Sequence, residues 1–499
     1  MESLFYKLIY EKQLKRGMRI LEILFRSTHD VSIKELETEL LSSRKTILTT
    51  LEYTKTFLPE YFSLSMDENV VILQNDSKET IEKTLIEMAK HTISFQVLEH
   101  AFLDMGLNVI QLAEKLFISE SALRVRINHM NKALRIFDCS LAPYSLQFVG
   151  KEANIRYFAY AYFSEFQELH LSACEEELVY CDKVYSNMVE IYDKQSLYLL
   201  DHSYQQIIRF FHVTRSRIVK KNYIKLDGNL IERMLRRQSY RDFKSVYVSE
   251  LKDHLGIKEI PEDEAVWAYV VSINTVLYTH NTEGRLLYRE GIDVKPLEAK
   301  ISMELREIEE VLNIQKENKQ AFIDMLKAYF INLSLLTEIS PIFQLGSSEV
   351  KQFVMENLGN LYLDWQNFLT KFDGEKLFLV SNKECVAAQL AMISSQFIYK
   401  QKIERRKMFF SFEGEPGFIA YLETSSRALL PKDVEAVFIH NKKITTELVG
   451  ALCPDILVCN YGLQERIDCC EVLRMSYVPK PQEWELLKTL IIDLNEKTK

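Results

Sequence analysis

The chain has 499 residues, of which 47% are hydrophobic and 27% are charged, an ordinary composition for a globular protein. Its length exceeds what one hydrophobic core supports and predicts roughly three to four domains. The 14 glycines and 10 prolines are few for this length and favour helices over a β-sandwich or barrel, and the formal net charge is −9.

Several kinds of site are disfavoured by the sequence. Its eight cysteines form no CxxC pair and no histidine stands at zinc-finger spacing from them, so we expect no metal site. It contains no Walker loop, GxSxG elbow, HExxH motif or Rossmann glycine set, so we expect neither an enzyme nor a bound cofactor. No signal peptide opens the chain, and no run approaches the roughly 18 apolar residues of a membrane helix. We therefore expect a cytoplasmic protein without membrane contact.

The negative charge is unevenly distributed. Residues 1–160 carry 20 Lys and Arg against 21 Asp and Glu, whereas the remainder carries 42 against 50. Eight of the nine excess negative charges therefore lie downstream, and the acidity does not argue against nucleic-acid contact near the N-terminus.

Residues 1–80 form the first predicted unit. "KRGMRILEILF" has helical spacing of its apolar residues, and Ser32 and Glu35 have the spacing of a capping box that opens the next helix. A third helix is predicted to begin near Arg44, and "FSLSMDENVVIL" predicts a small hairpin. This order of three helices and a hairpin is typical of a winged helix-turn-helix domain.

Residues 81–155 repeat the same order of elements. A helix in "TISFQVLEHAFLD" precedes "LAEKLFISESALRVRINHMNKALRIF", two short helices joined by a tight corner, with Ser119 as the predicted N-cap of the second. Two short β-like runs follow in "CSLAPYSLQFVG". The repetition strengthens both assignments.

The remaining residues predict three further domains. Long amphipathic runs, interrupted by a turn-rich stretch at 279–300, predict two all-helical domains at 156–282 and 283–373. From residue 374 to 499, short β runs alternate with helices and indicate a small α/β domain with a mainly parallel sheet. The predicted fold class is thus a mainly α multidomain protein with two N-terminal winged helix-turn-helix domains.

The helix predicted over residues 119–135 separates an apolar seam from a basic face. Leu123, Ile127, Met130 and Leu134 form the seam, while its charged residues sum to +3. Arginine can pair with guanine or clamp a phosphate, and asparagine can pair with adenine. The predicted DNA-contacting residues of this helix are Ser121, Arg124, Arg126, Asn128, Asn131, Lys132 and Arg135, and those of the first unit are Arg44, Lys45 and Thr49.

Two alternatives remain open for these helices. A solvated amphipathic helix is the alternative explanation for the basic face of the second helix, but the helix-turn-helix spacing and the hairpin after it favour DNA contact. The helix of the first unit is weaker evidence, because Glu52 dilutes its basic face and the helix could instead pack against the second unit.

The stretch "NVIQLAEKLFISESALRVRINHMNKALRIF", followed by "LQFVGKEANIRYFAYAYF", resembles the second helix-turn-helix of the Mga/AtxA class of Gram-positive virulence regulators. "GKEANIR" at 150–156 is a specific part of the match. The resemblance implies two DNA-binding domains, two helical domains like those through which sugar phosphotransferase systems (PTS) regulate proteins, and a C-terminal domain like the EIIB component of those systems. It also implies homodimers or larger assemblies that bind double-stranded DNA through its shape and curvature.

The resemblance further implies control by histidine phosphorylation, with the phosphocarrier HPr or EIIB proteins as partners. No histidine occurs between residues 281 and 439, so the second helical domain departs from the usual pattern and dual phosphorylation is in doubt. The first helical domain offers four candidates, of which His202 and His212 are preferred because "RSRI" at 215–218 resembles an element near the phosphorylated residue. Ordinary structural histidines remain the alternative.

The C-terminal domain departs from a working EIIB. There a cysteine directly after the first strand carries the phosphoryl group, whereas "KLFLVSNKECVAAQ" places Cys385 about four residues late and without a supporting glycine. We therefore expect an interaction module without phosphotransfer chemistry. The alternative functions are an RNA-binding antiterminator with the same regulation domains and a phosphotransferase-system component.

Overall fold

The structure is a computed structural model. It describes residues 4–27, 29–67, 69–75, 81–103, 105–164, 179–187, 201–202, 204–273, 276–277, 312, 319–371, 380–398, 407–431 and 434–496. The turn-rich stretch at 279–300 and the predicted strand "KLFLV" lie almost wholly outside these residues. Within the described ranges, no helix is both long enough and apolar enough to cross a membrane.

The first unit is a winged helix-turn-helix, as predicted. Its elements are α1 (Leu4–Leu8), α2 (Lys12–Arg26), β1 (Val31–Ser32), α3 (Ile33–Glu39), α4 (Arg44–Lys55), β2 (Phe62–Asp67) and β3 (Val70–Asn75). The strands form an antiparallel sheet in the order β1-β3-β2. The predicted capping box is present, because the Ser32 side chain accepts from the Glu35 amide while the Glu35 carboxylate accepts from the Ser32 amide.

The second unit repeats this architecture. It comprises α5 (Glu82–Lys90), α6 (Ile93–Leu103), α7 (Val109–Lys115), α8 (Glu120–Leu134), a 3₁₀ turn (Arg135–Phe137), and the hairpin of β4 (Cys139–Leu141) and β5 (Phe148–Gly150). Ser119 caps α8 by accepting from the Ala122 amide, which confirms the predicted N-cap.

The two helix-turn-helix corners are built alike. In each, the residue after the helix C-cap is left-handed, with φ of 47° at Leu41 and 55° at Phe117. The next amide, of Ser42 or Ile118, donates to a carbonyl five residues back, which closes a Schellman motif. Leu41 and Phe117 are 92% and 95% exposed. Glycine usually occupies this position, so the sequence predicted a tight corner in the second unit but not the left-handed residue that both corners share.

Most of the described residues in the middle of the chain lie in helices. These include α9 (Glu152–Ser164), α10 (Tyr204–Val219), α11 (Gly228–Leu235), α12 (Gln238–Leu255), α13 (Glu262–Ile273), α14 (Lys319–Ile339), α15 (Ser348–Asn357) and α16 (Gly359–Lys371). The short strands β6 (Asp201–His202) and β7 (Val276–Leu277) pair antiparallel.

A parallel sheet forms the C-terminal region, as predicted. Its strands β8 (Lys407–Ser411), β9 (Glu435–Phe438), β10 (Ile456–Cys459) and β11 (Glu471–Arg474) are ordered β11-β10-β8-β9. The accompanying helices are α17 (Lys383–Ile398), α18 (Pro416–Leu429), α19 (Thr446–Leu452) and α20 (Pro481–Glu496). One apolar core runs from the middle helices into this sheet, and Trp365 of α16 donates to Ser394 of α17 at 2.8 Å. The described residues on either side of the boundary predicted at residue 374 thus share one core, and the division into domains there stays a prediction.

Candidate nucleic-acid interface

The predicted seam of α8 lies in the core of the second unit. Leu123, Ile127, Met130 and Leu134 are each 0% exposed. Burying four large apolar side chains contributes about 1.5–3 kcal/mol each, as an upper bound, and fixes which side of α8 faces solvent.

The solvent side of α8 carries a run of polar and basic residues at helical spacing. We call it the exposed α8 face, and it comprises Ser121, Arg124, Asn128, Lys132 and Arg135. All but Arg124 are exposed. The Arg124 side chain is 35% exposed, pairs with Glu120, and lies 4.1 Å from the centre of the Tyr144 ring between β4 and β5. Arg124 thus has a fixed position beside the hairpin, and both can approach one ligand.

Two predicted DNA-contacting residues do not belong to the exposed α8 face. Arg126 is turned toward the first unit, where its Nε lies 3.4 Å from Glu11 and its guanidinium lies 4.9 Å from the Tyr10 ring centre. Both polar atoms of the Asn131 amide are used by Leu141: Nδ2 donates to its carbonyl at 3.0 Å, and Oδ1 accepts from its amide at 2.7 Å. Helical position alone could not reveal these partners, and DNA contact by either residue stays a prediction.

The Asn131 amide should hold β4 against α8. We predict that Asn131→Ala lowers the free energy of unfolding of this unit by about 1–3 kcal/mol, because two backbone polar groups of Leu141 lose their partners. Faster hydrogen exchange at the Leu141 amide would report the change. Asn128→Ala on the exposed face is the matched control, with an expected effect within about 0.5 kcal/mol. Equal protection of Leu141 in wild type and Asn131→Ala would contradict this role.

In the first unit, the predicted residues lie on the solvent side of α4. Arg44, Lys45 and Thr49 are exposed, while Ile47 and Leu51 are buried below them. Arg44 donates to Asn69 at the tip of the β2-β3 hairpin at 2.8 Å. The helix and its wing therefore present one continuous surface in this unit as well.

A buried ionic cluster joins the second unit to the middle helices. Arg156 makes a bidentate pair with Glu264, at 2.7 and 2.8 Å, and both side chains are 0% exposed. Glu152 pairs with Arg156 at 3.0 Å and accepts two 2.9 Å bonds from Arg217 of α10. Glu152 and Arg156 belong to the "GKEANIR" element, so this motif is the structural joint between the two regions.

The two preferred histidines differ in what the structure shows. His212 is 7% exposed within α10, so its ring is inaccessible to a phosphate donor unless α10 moves. The His202 side chain lies outside the described side chains, but its backbone pairs with Val276 in the β6-β7 ladder. His254 was not preferred; its Nε2 accepts from Arg215 at 2.9 Å and its ring stacks on Tyr180.

The surroundings of Cys385 do not suit a phosphocysteine. Burial raises the pKa of its thiol and disfavours the nucleophilic thiolate. The preceding backbone amides, of Ser381 and Asn382, donate to Gln344 at 2.7 and 3.0 Å, so they are already occupied and do not form a free phosphate cradle.

Comparison with known proteins matches both N-terminal units to family models. Residues 11–70 match the helix-turn-helix domain of the M protein trans-acting positive regulator (MGA), and residues 74–163 match the Mga helix-turn-helix domain. Each matched range covers most of one winged unit, and the second range also includes nearly all of α9.

Similar proteins include three from Gram-positive bacteria. One, from Streptococcus pneumoniae serotype 4, is named as a trans-acting regulator and is 29% identical over 32% of both chains. The capsule synthesis positive regulator AcpA of Bacillus anthracis is 20% identical over 81% of this chain and 83% of its own. AcpB, named likewise, is 26% identical over 29% of this chain and 30% of its own. The matches to the first and third proteins span about a third of those relatives.

Proposed function

We propose that the chain is a transcription regulator of the Mga/AtxA class, because both N-terminal units match Mga helix-turn-helix models, and that it binds promoter DNA through α4 and α8 and thereby activates transcription. The observation that carries this proposal is the exposed α8 face, a basic surface held rigidly above a buried seam and beside a hairpin. AcpA and AcpB are named positive regulators, which favours activation over repression.

The proposed mode of binding relies on DNA shape as well as base contact. Arginine and lysine side chains on both helices can clamp phosphates or pair with guanine, whereas Asn128 is the exposed α8 side chain suited to pair with adenine. Two winged units in series would span neighbouring grooves, so a duplex that bends easily should bind best.

Gel-shift assays with the intact chain test this function. We expect tight binding to promoter duplex and to a curved duplex, weaker binding to a straight duplex of random sequence, and little binding to an RNA hairpin. Binding that is tight for the hairpin alone would overturn the proposal in favour of an RNA-binding antiterminator.

We also propose control by PTS-dependent phosphorylation in a cytoplasmic homodimer or larger assembly. Support comes from the position of His202, two residues before Tyr204, whose amide donates to Asn441 of the C-terminal region at 3.0 Å. At its far end, the same helix α10 carries Arg217, which bonds to Glu152 at the DNA-binding unit. Charge added near His202 would thus act on the helix that reaches the DNA-binding unit.

We predict that phosphorylated HPr or an EIIB protein labels His202. His202→Ala should remove most of the acid-labile phosphate, whereas His212→Ala should retain it because that ring is buried. Mass spectrometry under neutral conditions locates the label, and light scattering reports any change in assembly. His254→Ala is the matched control. A label that survives His202→Ala would contradict the assignment.

A further inference from the structure

A cavity of about 140 Å³ lies where α9, α10, α14 and α17 meet the start of α18. Aromatic rings form much of its wall. Tyr160 and Phe210 stack with ring centres 3.9 Å apart, and Tyr157 and Phe343 lie 4.6 Å apart. A cavity of about 150 Å³ admits benzene, so this one accommodates a ligand of similar size.

The described wall of the cavity contains a negatively charged side chain but no positively charged one. Glu415 is the one charged residue among the described residues that line the cavity, and none of those residues is Lys, Arg or His. Its carboxylate accepts from the Gln389 side chain. Burial raises the pKa of Glu415, and the Gln389 bond opposes that shift. No Lys, Arg or His of the described lining pairs with this carboxylate, and a bound cation would compensate its charge.

A second polar group of the wall also lacks a partner. Asn332 is 4% exposed, and its buried Oδ1 has no hydrogen-bond partner among the residues that the structure describes. A buried acceptor without a donor is costly, and Asn332 lines the cavity, so a ligand that carries an N–H group suits this wall.

We propose that this cavity binds a small organic ammonium ion. It would donate N–H bonds to the oxygen atoms of Glu415 and Asn332, and the aromatic rings of the wall would pack against its apolar part. An anionic ligand would meet a carboxylate and no cation, and a wholly apolar ligand would leave both acceptors without donors.

The site lies next to the DNA-binding region. Tyr157 lines the cavity, its hydroxyl donates to the Leu345 carbonyl, and its ring lies 6.2 Å from that of Phe137 at the end of the α8 segment. The ligand site and the second winged unit thus share helix α9, although the proposed binding does not depend on any DNA function.

Calorimetry on the intact chain tests the proposal with three probes of one shape: cyclohexylammonium, cyclohexanol and cyclohexanecarboxylate. We expect cyclohexylammonium to bind at least about tenfold more tightly than cyclohexanol, because the alcohol cannot form a charge-assisted hydrogen bond with Glu415. We expect cyclohexanecarboxylate not to bind, because its negative charge is repelled by Glu415. Equal affinity for the ammonium and the alcohol, or preferential binding of the carboxylate, would overturn it.

Substitutions of Glu415 and Asn332 test whether the ammonium ion binds in this cavity. Glu415→Gln should weaken cyclohexylammonium binding by about tenfold or more, whereas Glu447→Gln, an exposed change in α19, should leave it unaltered. Asn332→Leu removes the unpartnered acceptor with little change in volume and should also weaken binding, which provides a second test if Glu415→Gln fails to fold. Unchanged ammonium affinity in folded Glu415→Gln or Asn332→Leu protein would refute the site.

Discussion

Replacing Arg156 by methionine should lower the free energy of unfolding by about 3–5 kcal/mol. The change leaves Glu264 with an unpaired carboxylate that is 0% exposed, and it removes one partner of Glu152. The Asn222 carbonyl also loses its 3.0 Å bond from Arg156. A buried charge without its partner is far more costly than the same pair is stabilising, which is the source of the large effect.

Urea unfolding followed by tryptophan fluorescence measures this effect. Trp267 is a local reporter, because Arg156 lies 5.6 Å from the centre of its ring. Arg466→Met is the matched control: it also removes an arginine from an ion pair, but its pair with Asp468 is 88% and 72% exposed and should contribute less than about 1 kcal/mol.

A double variant separates the loss of pairing from the loss of packing. Arg156→Met with Glu264→Gln removes the uncompensated charge but keeps an acceptor for the Ile224 amide, which now donates to Glu264 at 2.7 Å. We expect this double variant to be more stable than Arg156→Met alone. If the double variant is instead the less stable of the two, the ionic account of the joint is wrong.

The contacts made by the "GKEANIR" element could not be predicted from the sequence. "GKEANIR" was singled out from the sequence by resemblance, but the partners of its Glu152 and Arg156 stand at residues 217 and 264. Contacts across such separations arise from packing of whole helices and leave no local spacing pattern. Capping at Ser32 and Ser119 was predictable because a cap depends on residues within one turn.

The difference between local patterns and distant contacts also explains which features of α8 were predicted correctly. Its seam was predictable from helical period, which needs only the sequence of the helix itself. The orientation of Arg126 and Asn131 was not, because it depends on Glu11 and on the backbone of Leu141. In the C-terminal sheet, the final strand Glu471–Arg474 was not evident from the sequence either, because two of its four residues are charged and hide any alternation of apolar and polar side chains.

Removing Arg124 and Arg135 together should weaken DNA binding about 10- to 100-fold near physiological salt and reduce the slope of log affinity against log salt by about 2. Both side chains lie off the buried seam, so folding should be intact. The reason is counterion release. Each arginine that neutralises a phosphate displaces condensed cations from the DNA, and the favourable free energy of their release is lost when the arginine is removed. Fluorescence anisotropy across a salt series measures both quantities.

A charge-matched variant makes this test specific. Arg126→Ala with Arg466→Ala also removes two positive charges, but Arg126 faces Glu11 and Arg466 is 88% exposed in the C-terminal region. We expect its salt slope to remain within about 0.5 of wild type if long-range charge is a minor contribution. Equal slopes in the two double variants would mean that the exposed α8 face does not contact DNA.

Asn128 then distinguishes base reading from shape reading. It is exposed on α8 between Arg124 and Lys132, and asparagine can pair bidentately with adenine. If it reads a base, Asn128→Ala should reduce discrimination between promoter and random duplex by about 1–3 kcal/mol while leaving the salt slope unchanged. If binding depends on curvature alone, Asn128→Ala should change neither the discrimination between promoter and random duplex nor the salt slope. A bent duplex binds more tightly through additional phosphate contacts, and this side chain does not make them.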